Sequence, residues 1–311
     1  MNEYKPEGLL IKTAKNYEYI SSRGGLERAL ERQLILEAPV ALCDHNFDLH
    51  VDLCPGVRGL MPRDEVEYSP EGETAKDIAI LTRVGKTVCF KVIGFKSTPR
   101  GDTVAILSRR AAQRECVDNY LSGLVPGDII PAKVTHLESF GAFVDIGCGR
   151  ISLLSIDCIS VSRISHPSAR LGVGELIYTV VKNIDERGRI FVSGRELLGD
   201  WEQNAAMFKE GQTVRGIVRG VESYGIFVEL TPNLAGLAEY REGVRPDQTA
   251  AVYIKSIIPD KMKIKLIIID TDEEERAIAP LTYFIDPKDK AHIDYWRYSP
   301  VISNKIIETV F

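Results

Sequence analysis

Phe140-Gly141-Ala142-Phe143-Val144-Asp145 decides the fold, because it returns as Tyr224-Gly225-Ile226-Phe227-Val228-Glu229. The first copy follows Gly127-Asp128-Ile129-Ile130-Pro131-Ala132-Lys133-Val134, and the second follows Gly211-Gln212-Thr213-Val214-Arg215-Gly216-Ile217-Val218. Downstream, each has a β-rich stretch that closes on a basic turn, Asp185-Glu186-Arg187-Gly188-Arg189 and Pro259-Asp260-Lys261-Met262-Lys263. A repeated unit means a repeated domain. Aromatic rings on strands, with basic residues nearby, make a surface on which unpaired bases stack.

The rest of the chain fits three small units. Residues 1–34 form a lead-in, where Leu26, Ala29, Leu30 and Leu34 predict a short helix after the breaker Gly24-Gly25. Residues 35–110 alternate as strands in Leu49-His50-Val51-Asp52-Leu53. The helical stretch from Arg109 to Leu121, stopped by Gly123, supplies a linker over 111–124. Residues 125–194 make the second β unit. A second linker helix over 195–210 carries Leu198, Trp201, Ala205 and Phe208 on one stripe that packs against a barrel. Residues 211–269 make the third unit. In 270–311 the run Asp270-Thr271-Asp272-Glu273-Glu274-Glu275 reads as a solvated linker, and Tyr283, Phe284, Tyr295, Trp296 and Tyr298 as a tail docked on the third unit, with Trp296 sealing a barrel edge. Units of this size, built from short strands and glycine turns, close into small barrels. The fold class is therefore all-β with linker helices.

Composition narrows the function. Apolar residues are 44% and charged residues 27% of 311, ordinary for a globular protein. No run is long and apolar enough to span a membrane, and the first residues lack a signal peptide's regions; a cytoplasmic protein is expected. The net charge of -5 argues against strong non-specific polyanion binding but leaves room for a local basic groove. The six cysteines contain no Cys-x-x-Cys and suit buried thiols in a reducing compartment. Cys43, His45, His50 and Cys54 are metal-ligand types, but their spacing is too loose for a zinc site to be expected. Asp44, Asp48 and Asp52 resemble no two-metal carboxylate cluster, and no Walker loop or Gly-x-Ser-x-Gly occurs. No enzyme activity, cofactor or small-molecule substrate is expected.

The second and third units resemble S1 domains, the five-stranded OB-fold barrels of bacterial ribosomal protein S1 and related RNA-binding proteins. The second carries Gly127, Phe140 to Asp145, Arg163-Ile164-Ser165-His166-Pro167, Leu171-Gly172-Val173-Gly174-Glu175 and Asp185 to Ser193. The third carries Gly211, Tyr224 to Glu229, Ala235-Gly236-Leu237 and Lys263-Ile264-Lys265-Leu266. In the first, Leu49 to Leu53, Gly59-Leu60-Met61-Pro62-Arg63 and Leu107-Ser108-Arg109-Arg110-Ala111 resemble the leading domains of the same family. There Phe47 falls at the Phe140 position and His50 at the Phe143 position. The resemblance covers roughly residues 35–270 and implies tandem OB-fold (S1) barrels that bind single-stranded RNA, mRNA among it, in translation.

Site residues follow position by position. Phe140 and Phe143 are three apart and share a face only if the strand bends at Gly141; Val144 and Ile146 then point inward and Asp145 outward. Arg189 pairs with phosphate or stacks on a base, while Asp185 accepts from a base or ribose or orients Arg189. Lys133 and Arg187 are candidates for phosphate contacts. Ser155 stands where the family often has histidine and can donate a hydrogen bond. In the third unit Tyr224 and Phe227 keep the ring pair, and Arg215, Arg219, Lys263 and Lys265 add positive charge. Glu239 there repels phosphate. The first unit lacks the ring pair and is expected to dock protein, the ribosome included. The competing reading is a ribosome- or enzyme-docking adaptor whose S1 barrels bind protein, since an OB fold does not fix function.

Overall fold

The computed structural model describes residues 4–70, 72–97, 103–273 and 280–311. Fifteen strands build three closed barrels of one topology. The first uses β1 (Leu36–Cys43), β2 (Leu49–Cys54), β3 (Val57–Met61), β4 (Thr87–Ser97) and β5 (Thr103–Ser108). The second uses β6 (Ile129–Glu138), β7 (Gly141–Asp145), β8 (Ile151–Ser155), β9 (Leu176–Ile184) and β10 (Ile190–Ser193). The third uses β11 (Thr213–Glu222), β12 (Gly225–Thr231), β13 (Leu234–Ala238), β14 (Thr249–Ile258) and β15 (Lys263–Asp272). In each, the third strand meets the fifth in parallel: β3 with β5, β8 with β10 and β13 with β15. This is the five-stranded OB barrel, in which closure leaves no sheet edge to pair elsewhere.

Period-two alternation sets what faces inward. Along β15, Ile264, Leu266 and Ile268 are buried while Lys263, Lys265 and Ile267 face solvent. The same rule buries Ala142, Val144, Leu154 and Val192 in the second barrel, and Val40, Leu49, Val51 and Phe90 in the first.

The chain forms two compact units. One is residues up to Leu124 together with Asp145–Ile151, and the other is Val125–Val144 with Ser152–Phe311. Within the first, the lead-in is tied down by buried carboxylates. Glu37 accepts the N–H groups of Gly8, Leu10 and Ile11 at 2.8–2.9 Å. Glu7 takes a bidentate pair from the fully buried Arg109 at 2.6 and 3.1 Å. Asp145 accepts from Glu7, Gly147 and Gly149 N–H at 2.7, 2.9 and 3.0 Å. Asp145 was expected to face outward; it is buried because the turn after β7 wraps its own amides around the carboxylate.

Several sequence expectations shift. The lead-in contains two helices, Ala14–Ile20 and Arg23–Glu31, so Leu34 lies past the helix it was assigned to. The helix from Arg109 ends at Asn119 and tightens into one 3₁₀ turn, Leu121–Gly123. The expected helix over 195–210 is broken: a 3₁₀ turn Arg195–Leu198 stops at Gly199, whose φ of 81° a helix cannot accommodate, and Trp201–Ala205 restarts behind an Asp200–Gln203 capping box. Of its stripe, Trp201 and Ala205 lie in the third-barrel core and Phe208 packs against it, while Leu198 is buried outside that cluster.

Asp270 to Asp272 belong to β15 rather than a linker, and Glu274 and Glu275 lie outside the described residues. The tail spans two barrels instead of one. Tyr283 accepts the N–H of Tyr178 at 2.9 Å and Ile293 donates to Gly127 O at 2.9 Å, both on the second barrel. Further on, β16 (Tyr295–Arg297) pairs with β17 (Glu308–Val310), and Trp296 and Tyr298 enter the third core. Tyr298 donates to Asn233 O at 2.5 Å.

Candidate nucleic-acid interface

The ring pairs share one geometry in two barrels. Phe140 and Phe143 lie 5.9 Å apart, centroid to centroid, with planes at 88°; Tyr224 and Phe227 lie 6.1 Å apart at 84°. Phe140 is 52% exposed, Tyr224 68% and Phe227 37%, while Phe143 is half-buried. Rings exposed to this degree present apolar faces to solvent on both barrels.

The local cause is the glycine between them. A Cβ on Gly141 would sit 2.5 Å from Leu154 O, and one on Gly225 would sit 2.6 Å from Ala238 O. Each glycine lets the neighbouring strand press against the start of β7 or β12. Phe140 precedes β7 and lies in the turn, with its carbonyl accepting from Ile156 N–H at 2.9 Å. Strand alternation thus never applies to Phe140, and both rings reach one face without a bend inside the strand.

Register places the neighbours. In the third barrel, Phe227 pairs with Leu237 and Leu237 with Lys265, forming an outward row across three strands. Glu239, one step beyond Ala238, flanks that row and is exposed. In the second barrel, Phe191 pairs with Leu153, the position matching Leu237. Phe191 and its row were missed in the sequence. The signal was there: Ile190 and Val192 alternate inward, which leaves Phe191 outward. His136 was missed too. Its ring stacks on Phe143 at 6.4 Å and 22°, and its imidazole meets Glu138 at 2.7 Å.

The charged candidates separate into two sets. Arg189 is exposed and its Nε bonds Asp185 at 2.7 Å, while Asp185 also accepts the N–H groups of Arg187 and Arg189 at 3.0 and 2.8 Å. Those backbone and side-chain bonds hold the Asp185 carboxyl below its ordinary value. Asp185 is thereby the clasp of the turn that presents Arg187 and Arg189. Ser155 donates to Asp157 and so holds that carboxyl low. Lys133 is half-buried on β6, two residues before Thr135, whose hydroxyl donates to Phe143 O at 3.0 Å. Lys263 and Lys265 are exposed on β15.

Arg215 is exposed but pairs with Ala251, whereas Phe227 pairs with Gly220. Five residues of strand, roughly 17 Å, separate it from the ring pair. Arg219 is engaged within the barrel rather than presented beside the ring pair. It occupies the β11 bulge between Val218 and Gly220, its side chain is 7% exposed, and its guanidinium binds Glu229 at 2.9 Å and Asp247 at 3.1 Å. Arg170 binds the same Glu229 at 2.6 and 2.7 Å.

The first barrel has no ring pair. Arg63 lies over Phe47 at 5.0 Å, and His50 Nε2 meets Asp44 at 3.0 Å. Both positions are taken up by intramolecular contacts. Among the described residues no three His, Cys, Asp or Glu side chains come together as a metal site, and no helix is long and apolar enough to cross a membrane.

Residues 125–195, the second barrel, match the S1 RNA binding domain. The chain is 30% identical over 283 residues to a small ribosomal subunit protein bS1 homolog of Bacillus subtilis, covering 88% of this chain and 69% of the relative. It is 29% identical to the small ribosomal subunit protein bS1 of Staphylococcus epidermidis, over 86% of this chain and 68% of that protein. A bS1 homolog of Bacillus cereus is also 29% identical, over 82% of this chain and 64% of its own. The chain spans between 64 and 69% of the length of these three relatives. Three like barrels, two of them with the same exposed ring pair, and this similarity along most of its length place the chain in the bacterial ribosomal protein S1 family.

Proposed function

We propose that the protein binds single-stranded RNA without catalysis, in translation, as an S1-like factor of the bacterial cytoplasm. The observation that carries this is the duplicated, solvent-facing ring pair on the second and third barrels. Two rings at right angles offer stacking faces that any base can use, so sequence preference is low. Arg187 and Arg189 on the second barrel, and Lys263 and Lys265 on the third, supply phosphate contacts beside those faces. The net charge of -5 confines attraction to these local groups. The second barrel binds more strongly than the third, because Glu239 stands where the second has Ser155. The first barrel, with Phe47 under Arg63, takes the protein-docking role, with the ribosome as its partner.

Fluorescence anisotropy with labelled single strands and an RNA duplex tests the proposal. Single strands bind in a salt-dependent way, the duplex binds poorly, and Phe143→Ala weakens binding by about 1–3 kcal/mol, the range for one base stacked on one ring. Absence of single-strand binding by the intact chain would overturn it.

A further inference from the structure

The outward row differs between the two ring-bearing barrels at one register position. In the third barrel the row ends on Lys265, opposite Leu237; in the second it ends on Phe191, opposite Leu153. The two positions are equivalent: each lies on the fifth strand, paired in parallel to the third strand one residue before a buried core residue, Leu154 or Ala238. Phe191 faces outward, because Ile190 and Val192 on either side are buried and its antiparallel partner Asn183 is exposed. Leu237, half-buried, lies between Phe227 and Lys265, and the half-buried Leu153 holds the matching place beside Phe191.

From this juxtaposition we infer that the second and third barrels hold the same RNA strand by different physics. Phe191 is a third base-stacking ring, so the second barrel engages a run of bases through Phe140, Phe143 and Phe191. Lys265 instead contacts a backbone phosphate, so the third barrel's contribution is ionic as well as stacking. This rests on the single-stranded RNA reading above. It assigns Phe191, and the ring-for-lysine difference, a role in how affinity responds to salt. A ring stacked on a base displaces no counterion, whereas each lysine on a phosphate changes the slope of log K against log salt by about 0.7 for a single strand.

The test is anisotropy of the full chain with a labelled oligouridylate across a salt series. Phe191→Leu, which keeps the apolar volume and loses the ring, should weaken binding roughly 5- to 150-fold, equivalent to about 1–3 kcal/mol, at unchanged slope. Phe191→Tyr should bind as the parent does. Lys265→Ala should flatten the slope by about 0.7, and Phe191→Lys should steepen it by about 0.7. Lys265→Phe, in a barrel whose fold the first variants do not touch, should flatten the slope while holding or raising affinity at high salt. Parental affinity for Phe191→Leu, alongside loss for Phe143→Ala, would overturn the inference and leave the RNA reading standing. Parental affinity for both variants would overturn the two together. A slope that falls for Phe191→Leu, or stays fixed for Lys265→Ala, would also overturn the division of roles.

Discussion

Replacing Glu229 by glutamine should destabilise the third barrel strongly, although the change is nearly isosteric. The carboxylate is 4% exposed and is gripped from two sides, by both terminal nitrogens of Arg170 and by Arg219. Those guanidinium side chains are 6 and 7% exposed. Removing the negative charge leaves two buried cations facing each other, with Asp247 at 3.1 Å from Arg219 as the remaining counter-charge. Breaking a buried ion pair from one side costs about 3–5 kcal/mol. At a urea dependence of about 2 kcal/mol per molar, the midpoint falls by about 1.5–2.5 M.

The readout is built in, because the chain has two tryptophans and both Trp201 and Trp296 lie in the third-barrel core. Tryptophan fluorescence in urea thus follows this barrel and not the first. Glu239→Gln, at an exposed site, is the control and should leave the midpoint unchanged. The sign with pH follows from the same contacts. Burial pushes the Glu229 carboxyl up, but Arg170 and Arg219 outweigh it and hold the group below its ordinary 4.5. A depressed folded value gives stability that is full above the unfolded value and lost as pH falls through the folded one. The gap between parent and variant should therefore be widest near neutral pH and close under acid. An unchanged midpoint at neutral pH, or a gap that widens in acid, would show that Glu229 does not hold the two arginines in this way.

Other outcomes follow from single contacts. Gly141→Ala places a Cβ 2.5 Å from Leu154 O, so β7 and β8 must spread; a loss of about 1–3 kcal/mol and weaker RNA binding are expected, read by thermal melting and anisotropy. Arg109→Met leaves Glu7 buried without its cation, which costs about 3–5 kcal/mol and should expose the lead-in to limited proteolysis. Asp185→Asn weakens the clasp on Arg189 at an exposed turn; RNA affinity should drop modestly while the melting temperature stays put. In the parent that turn loses its clasp only as pH falls through the depressed Asp185 value, so this contribution to binding should persist from neutral to mildly acidic pH.

The barrels and ring pairs were legible because they rest on local rules. Alternation fixes which side of β15 carries Lys265, and a duplicated Gly-flanked aromatic motif marks both faces. What escaped the sequence depends on contacts between distant residues. Asp145 alternates as an outward residue but is captured by Glu7 N–H from more than a hundred positions away. Arg219 reads as a free cation until the β11 bulge turns it toward Glu229. Phe47 keeps an aromatic at the right position, yet it sits half-buried at a φ of 62° with Arg63 lying over its ring. At Gly199 the φ of 81° is joined by the ring of Phe284, 2.7 Å from where a Cβ would be, a distant contact that the local sequence does not show.

Whether RNA lies on the exposed ring pairs is read most directly by zero-length ultraviolet cross-linking of a short single-stranded RNA, with the attached residues mapped by mass spectrometry. Adducts are expected on Phe140, Phe143, Tyr224 and Phe227, strongest on the second barrel. Adducts concentrated on residues 35–110, with the four rings unmodified, would contradict that placement of the RNA.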